Sequence, residues 1–241
     1  MKLLAMDTST LVMGVAVMDL ENQKILGETV TNLHKNHSVR LMPTIERLLN
    51  DLDLAVDDLT HLAVTRGPGS YTGIRIGVTT AKAMSWARRI PLYSASGLAV
   101  LALNGARFDG WVVPMFDARR RRVYTGAFRT DNHEIREQLP QQVIAVDAWL
   151  QQLKESGEPV LFLGDDVVRF EEEIRSTLGK QACFGTPQEN IPRPASLAWL
   201  AYQKWSRQEQ PEPPDFSPEY LQMTEAEANW LKKQRKEGAN G

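Results

Sequence analysis

Apolar residues in the first hundred positions fall into short runs of β type and longer segments with a helical period. Five short runs predict strands, at residues 3–8, 12–18, 24–31, 61–65 and 91–95. Turn residues and polar loops separate these runs. The first half of the chain therefore predicts five strands, three of them before the first helix.

Helical spacing appears three times in this half. Ser38 suits a helix N-cap, and the apolar residues after it recur on one helical face: Leu41, Met42, Ile45, Leu48, Leu49 and Leu52. Pro43 requires that helix to begin near Arg40 or to kink. A second helix follows the Gly-rich residues 67–77, and a third is predicted at 97–104.

The second half repeats this order. Strands are predicted at 111–116, 123–129 and 159–163, with a weaker one within 134–144. The helices of this half are predicted at 148–153, 167–178 and 195–205. The order β-β-β-α-β-α therefore occurs twice, which predicts a duplicated α/β protein. Its lobes would be residues 1–108 and 109–207, followed by a Pro-rich connector and tail at 208–241, where one more helix is expected near 224–236.

Charge and cysteine content limit the classes of function. The formal net charge is −2, which gives no general attraction to nucleic acid or to a membrane. Cys183 is the single cysteine, so an intramolecular disulfide is impossible and a reducing compartment is expected. With no signal-peptide core and no membrane-spanning apolar run, the protein is expected in the cytoplasm.

The run GPGSYTGIRIG at residues 67–77 is the most distinctive stretch of the chain. No Gly-Lys-Ser/Thr follows it, and its glycine spacing is not that of a dinucleotide fingerprint. In the helix that follows, small residues recur every four positions, at Gly73, Gly77, Ala81 and Ser85. Such a stripe suits close helix packing, either on the protein's own sheet or against a helix of another subunit.

Several motifs together resemble the TsaB (YeaZ) family. They are residues 4–9 (LAMDTS), 37–38 (HS), 67–77 followed by 81–82 (AK), 117–119 (DAR) with 123–124 (VY), and 218–221 (PEYL). The resemblance implies a duplicated RNase H-like fold of the actin-like ATPase (ASKHA) type, with two lobes. It also implies a non-catalytic scaffold that activates the paralogous transferase TsaD, works with the ATPase TsaE, and serves N6-threonylcarbamoyladenosine formation in tRNA.

The same resemblance implies an interface. Family members form homodimers when alone, through the N-terminal helices that also meet TsaD, and tRNA would be reached through the complex. These helices are the ones starting here near Ser38 and at Gly73. The interface residues expected on this basis are Leu41, Ile45, Leu48, Leu49, Gly73, Gly77, Ala81 and Ser85.

Two turns bear on the alternative of a nucleotide-hydrolysing or kinase-like enzyme of the same fold. Asp7-Thr8-Ser9 lies where ATP-using members place a phosphate turn, and Asp117-Ala118-Arg119 is its counterpart in the second lobe. Both turns lack the glycine that lets backbone amides approach a phosphate. We therefore expect degenerate phosphate turns and no cofactor of the chain's own, while a nucleotide at a shared subunit interface stays open.

Histidines offer little support for the remaining alternative, a metallopeptidase-like protein. His34 and His37 are closer together than the histidines of a His-x-x-x-His pattern, they fall in a predicted loop, and no third ligand is near them in sequence. His61 and His133 stand alone, so no metal site is expected.

The run of four arginines at 119–122 has two interpretations. Arg119, Arg120, Arg121 and Arg122 either contact tRNA phosphates or pair with nearby carboxylates on a solvated turn.

Overall fold

The structure, a computed structural model, describes residues 1–33, 36–131 and 134–221. The first of its two sheets contains β1 (Lys2–Asp7), β2 (Val12–Asp19), β3 (Lys24–Asn32), β4 (Leu59–Gly67) and β5 (Leu92–Ser96). The helices of this half are α1 (His37–Asp51), α2 (Tyr71–Arg88) and α3 (Gly97–Ala102). His34, His133 and the tail helix expected near 224–236 lie outside the described residues.

The second sheet repeats the first. It contains β6 (Trp111–Asp117), β7 (Arg122–Asp131), β8 (Glu134–Ala145), β9 (Val160–Leu163) and β10 (Ala182–Phe184), with helices α4 (Val146–Ser156), α5 (Glu171–Leu178) and α6 (Pro194–Ser206). The spatial orders are β3-β2-β1-β4-β5 and β8-β7-β6-β9-β10. The expected two-lobed, duplicated RNase H-like fold is therefore confirmed.

The central strand of each sheet is apolar on both sides because helices cover both faces. Along β1, Leu4 and Met6 face a core shared with α1 and α2, whereas Leu3 and Ala5 face a core shared with α6. In the second sheet, residues of β6 alternate in the same way between a core with α4 and α5 and a core with α3.

Helix α6 differs from its expected place. The sequence grouped it with the second lobe, but Leu197, Ala198 and Ala201 are fully buried against the first sheet. Conversely, α3 follows β5 of the first sheet, yet Leu98 and Leu101 pack with residues of the second sheet. Each lobe therefore contributes a helix to the packing of the other.

Four local expectations are corrected. Helix α1 begins at His37, with Asn36 rather than Ser38 as its N-cap, and Pro43 lies within it. The helix predicted at 167–178 is a 3-10 helix (Asp165–Phe170) followed by α5, and strand β10 was not predicted. The connector is extended and mostly exposed, as expected, but hydrogen bonds also anchor it to the first lobe, as described below.

Residues 209–221, which we call the C-terminal strap, bind the first lobe along β5, the end of β4 and α2. The Glu212 amide donates to the Leu92 carbonyl at 2.8 Å, and the Glu219 amide donates to the Arg66 carbonyl at 2.8 Å. Phe216 packs on the core between the first sheet and α2. No helix in the described part of the chain is both long and apolar enough to span a membrane.

Candidate functional site

The turn after β1 is a buried, hydrogen-bonded corner. Asp7, Thr8 and Ser9 are at most 3% exposed. Asp7 Oδ1 accepts from the Ser9 amide at 2.8 Å and from Thr65 Oγ1 at 2.7 Å. One carboxylate oxygen therefore fixes both the turn and its neighbouring strand β4.

The Gly-rich run between β4 and α2 closes on this corner. The Ser70 amide donates to the Ser9 carbonyl at 2.6 Å, and Thr8 Oγ1 donates to the Gly73 carbonyl at 2.7 Å. At Gly69, with φ +152°, an added Cβ would lie 2.1 Å from the Ser9 carbonyl oxygen, and one at Gly73 would lie 2.1 Å from that of Thr8. The glycines thus allow two stretches of this chain to touch.

The second lobe reproduces the corner at Asp117. Its Oδ1 accepts from the Arg119 amide at 2.8 Å, just as Asp7 Oδ1 accepts from Ser9. Asp117 Oδ2 pairs with Arg169 Nη1 at 2.9 Å, and the backbone amide of Asp117 donates to Asp166 Oδ2 at 2.9 Å. Both oxygens of this carboxylate are therefore already engaged within the protein.

The arginine run forms the tip of the β6–β7 hairpin. Arg119, Arg120 and Arg121 all have left-handed backbone angles, with φ between +54° and +62°. Arg121 bonds both oxygens of Glu173, at 3.0 and 2.9 Å, which raises the pKa of its guanidinium. It also reaches Asp147 at 3.2 Å. Carboxylate pairing thus holds for Arg121, and contact between the run and tRNA phosphates stays a prediction.

The described histidines have structural surroundings. His37 Nε2 lies 2.8 Å from the Thr10 carbonyl, linking the start of α1 to the loop after β1. His61 is buried beside Tyr93 and Trp205. Among residues 1–33, 36–131 and 134–221, no three His, Cys, Asp or Glu side chains are grouped so that they could hold a metal ion.

The eight residues expected at a subunit interface point into the first lobe instead of toward solvent. Gly73, Gly77 and Ala81 are buried, and an added Cβ at Gly77 would lie 2.5 Å from Thr8 Oγ1. Ser85 is half-buried and donates to the Ile90 carbonyl at 2.7 Å. Leu41, Ile45, Leu48 and Leu49 are buried in the core of the first lobe. The stripe therefore packs on its own sheet, one of the two alternatives that its spacing allowed, and its assignment to a subunit interface was wrong.

The opposite face of the same two helices is largely uncharged and exposed, apart from Ile76, which is half-buried against the core. We call it the docking face; it consists of Val39 and Met42 on α1 and Thr72, Ile76, Thr79, Ala83 and Trp86 on α2. Trp86 is 85% exposed and Val39 is 67% exposed. Single exposed apolar residues are common, but an aligned set with an exposed tryptophan is typical of a contact site.

A shallow groove of about 450 Å³ lies at the N-terminal end of this face. It is lined by Ser38, Tyr71, Thr72, Arg75, Ile76, Thr79 and Thr80. Ser38 belongs to α1 and the others to α2, so the groove lies where the two helices meet. Arg75 Nε donates to the Tyr220 hydroxyl of the strap at 3.0 Å, and this bond raises the pKa of Arg75.

The sequence analysis placed the expected interface on these two helices but chose the residues of their buried sides. Thr72, Thr79 and Ala83 also have short side chains, although threonine is larger than the residues of the buried stripe, so α2 has short side chains on both sides. The exposed Trp86 was a usable signal. A tryptophan in line with Thr79 and Ala83, opposite the glycine stripe, marks a second apolar face.

Comparisons with known proteins agree on the family. A family model described as "TsaD: tRNA N6-adenosine threonylcarbamoyltransferase" matches residues 24–230. The chain is 43% identical over 235 residues to the tRNA threonylcarbamoyladenosine biosynthesis protein TsaB of Bacillus subtilis (strain 168), covering 98% of this chain and all of that protein. It is 31% identical over 137 residues to the protein of the same name from Escherichia coli (strain K12), covering 56% and 58% of the two chains.

Solved structures give the same result. A crystal structure of an uncharacterized Pseudomonas aeruginosa protein with similarity to peptidase YEAZ superposes with a TM-score of 0.78 at 25% identity, covering 92% of this chain and 99% of that one. YeaZ from Pseudomonas aeruginosa gives a TM-score of 0.74 at 26% identity, with 91% and 99% coverage. Sequence and structural similarity therefore both extend over nearly the whole chain.

Proposed function

The chain belongs to the TsaB (YeaZ) family, and we propose that it is a non-catalytic subunit in the formation of N6-threonylcarbamoyladenosine in tRNA. In this proposal it activates a TsaD-type transferase by binding it through the docking face, works with a TsaE-type ATPase, and reaches tRNA only through the complex. When alone, it pairs with a second copy through the same face.

The exposure of the docking face is the observation that carries the proposal. Two adjacent helices present Val39, Met42 and Trp86 to solvent, with small residues between the larger ones on α2. Small side chains let a second pair of helices approach closely, and a large aromatic side chain supplies contact area. Burying one large apolar side chain contributes roughly 1.5–3 kcal/mol.

The two corner turns support the absence of catalysis. The turn at Asp7 is filled by the Gly-rich run, with the Ser9 carbonyl accepting from Ser70. The Asp117 carboxylate is paired with Arg169. Asp7 Oδ2 has no hydrogen-bond partner among the described residues, but it is buried, and both oxygens of the Asp117 carboxylate are bonded. Neither turn therefore presents an accessible, unpaired carboxylate for Mg²⁺.

The test places a charge in the middle of the docking face. Ala83→Glu adds a carboxylate at an exposed position of α2, where we expect partner binding to bury it without its own counter-charge. The dissociation constant for the transferase of the same genome should rise at least about tenfold, and reconstituted threonylcarbamoylation should fall with it. Isothermal titration calorimetry and a tRNA modification assay measure the two effects.

Gln152→Glu is the matched control because it adds the same charge at an exposed position of α4 in the second lobe. Both variants should unfold at the wild-type temperature, because neither side chain is buried. If Ala83→Glu bound the transferase with wild-type affinity, the docking face could not be the binding site. Normal modification of tRNA in the complete absence of this polypeptide would remove the proposed function itself.

A further inference from the structure

Arg75 stands out within the groove. Among the described residues that line the groove, Arg75 alone carries a charge; the others are serine, threonine, tyrosine or isoleucine. A single charged side chain in an otherwise uncharged contact region contributes more to partner choice than to affinity in general.

The guanidinium of Arg75 is held from two sides. Its central carbon lies 4.4 Å from the centroid of the Tyr71 ring, and its Nε donates to the Tyr220 hydroxyl at 3.0 Å. The two tyrosine rings are themselves in contact, with centroids 5.1 Å apart. An arginine fixed in this way has lost much of its rotamer freedom before any partner arrives, so less entropy is lost on binding.

The strap keeps Tyr220 in this position. Immediately before it, the Glu219 amide donates to the Arg66 carbonyl, and the Glu219 side chain pairs with Arg66 Nε at 2.8 Å. Earlier in the strap, the Phe216 carbonyl accepts from Lys82 Nζ of α2 at 2.6 Å. The strap thus fixes Tyr220 against α2, next to Tyr71.

Arg75 has no carboxylate partner within the described part of the chain, although most other arginines there have one. Within residues 1–33, 36–131 and 134–221, only its Nε has a hydrogen-bond partner, the Tyr220 hydroxyl. Its two terminal nitrogens can therefore form the paired, parallel bonds that guanidinium makes with a carboxylate.

We propose that Arg75 selects the partner by pairing with a carboxylate on a helix of a different protein, and that Tyr220 is the positioning residue for this contact. The inference rests on the proposed function and names the chemistry of the partner surface. Helix α2 contains no Asp or Glu, so the α2 of a second copy has no carboxylate to offer. Where α2 of a second copy packs against Arg75, the guanidinium would be partly desolvated without a counter-charge, which favours the heterodimer.

The test compares the two assemblies in one variant. Arg75→Gln should raise the dissociation constant of the heterodimer with the transferase at least about tenfold, the usual scale for a charge-assisted hydrogen bond. It should leave homodimer affinity unchanged or stronger. Heterodimer affinity is measured by calorimetry at two salt concentrations, where the variant should lose much of the wild-type salt dependence. Homodimer affinity is measured by analytical ultracentrifugation.

Two further variants define the contact. Tyr220→Phe keeps the ring against Tyr71 but removes the hydroxyl, so it should weaken the heterodimer by a smaller factor without changing the salt dependence. Arg47→Gln is the matched control because it removes the same charge from an exposed position on the neighbouring helix α1. It should leave both affinities unchanged.

Two results would overturn the inference. Equal weakening of both assemblies by Arg75→Gln would mean that a second copy supplies the carboxylate, from a residue such as Glu46 of α1. An unchanged heterodimer would mean that no carboxylate meets Arg75. If Ala83→Glu still abolishes binding in that case, the docking face stands and only the role of Arg75 fails. If both variants bind normally, the docking face fails together with the role of Arg75, while the proposed function is decided separately by tRNA modification in the absence of this polypeptide.

Discussion

At the scale of single residues, His61 is a titratable group buried between two aromatic side chains. It lies on β4, is 7% exposed, and its ring centroid is 5.7 Å from that of Trp205 and 6.4 Å from that of Tyr93. Its Nδ1 is 2.9 Å from Thr60 Oγ1. Burial, with a smaller effect from the N-terminal ammonium, lowers the pKa of His61 below its ordinary value of 6.5. The folded protein therefore favours the neutral imidazole.

This shift predicts a loss of stability in mild acid. As pH falls below about 6.5, the unfolded chain binds a proton at His61 that the folded chain resists, so the free energy of unfolding decreases. At pH 7.5 the imidazole is neutral in both states and the shift has no effect. Urea unfolding at pH 7.5 and 5.5 should therefore show a larger loss of stability for the wild type than for His61→Gln. Equal losses in the two proteins would assign the acid sensitivity to other groups.

Individual side chains also show where sequence reasoning reaches its limit. The Gly-rich run was recognisable because close backbone approach requires glycine, and Gly69 and Gly73 do lie against another stretch of backbone. The identity of that stretch, the turn at Thr8 and Ser9, could not be predicted because it is some sixty residues distant in sequence. Whether a stripe of small residues faces the protein's own core or solvent depends on such distant contacts and not on the spacing of the stripe.

At the scale of elements, the strap changes the expected role of the C-terminal region. Four prolines between 208 and 218 predicted an extended, exposed connector. The segment is extended, but it is anchored by backbone bonds to Leu92 and Arg66 and by the bond from Ser94 Oγ to Glu212 Oε1. The proline content indicated that this segment is extended. It did not indicate that Phe216 would pack on the core between the first sheet and α2.

The strap can be tested through this residue. Phe216→Ala removes a half-buried ring from the core between the first sheet and α2, and should lower the free energy of unfolding by about 1–3 kcal/mol, less than for a fully buried phenylalanine. Asp215→Ala, at an exposed neighbouring position, should change it by less than about 0.5 kcal/mol. Chemical denaturation of both variants measures the difference. Equal stabilities would show that the strap does not contribute to the core.

Element boundaries were predicted more accurately than element faces. Strand β2 begins where its apolar run begins, and α2 starts just after the Gly-rich turn, because local patterns determine both. The three-residue strand β10 was missed because so short a segment has no detectable period. The docking face was missed for a different reason. Small residues lie on two sides of α2, so the glycine stripe alone does not show which side meets the sheet, and Trp86 is the signal that marks the other side.

At the scale of the whole molecule, the two lobes share their cores. Helix α6, from the second half of the sequence, covers one face of the first sheet, and α3, from the first half, covers one face of the second. Gln141 of β8 is bonded to Ser96, the N-cap of α3, which adds a polar link across the same region. The duplication seen in the sequence is therefore a repeat of topology and does not divide the chain into two independent folding units.

This exchange predicts that the sequence-based first lobe cannot fold alone. A fragment of residues 1–108 would expose the side of the first sheet that carries Leu3, Ala5 and Tyr93, because α6 is missing, and would also lack Phe216. Buried apolar faces left bare favour aggregation over a cooperative native state. Circular dichroism and thermal unfolding should show no cooperative transition for the fragment. Coexpression with residues 109–221 should restore a soluble complex, since the second fragment supplies α6 and the strap. A cooperative transition for residues 1–108 alone would instead mean that α1 and α2 suffice to stabilise the first sheet, and that α6 only associates with a lobe already folded.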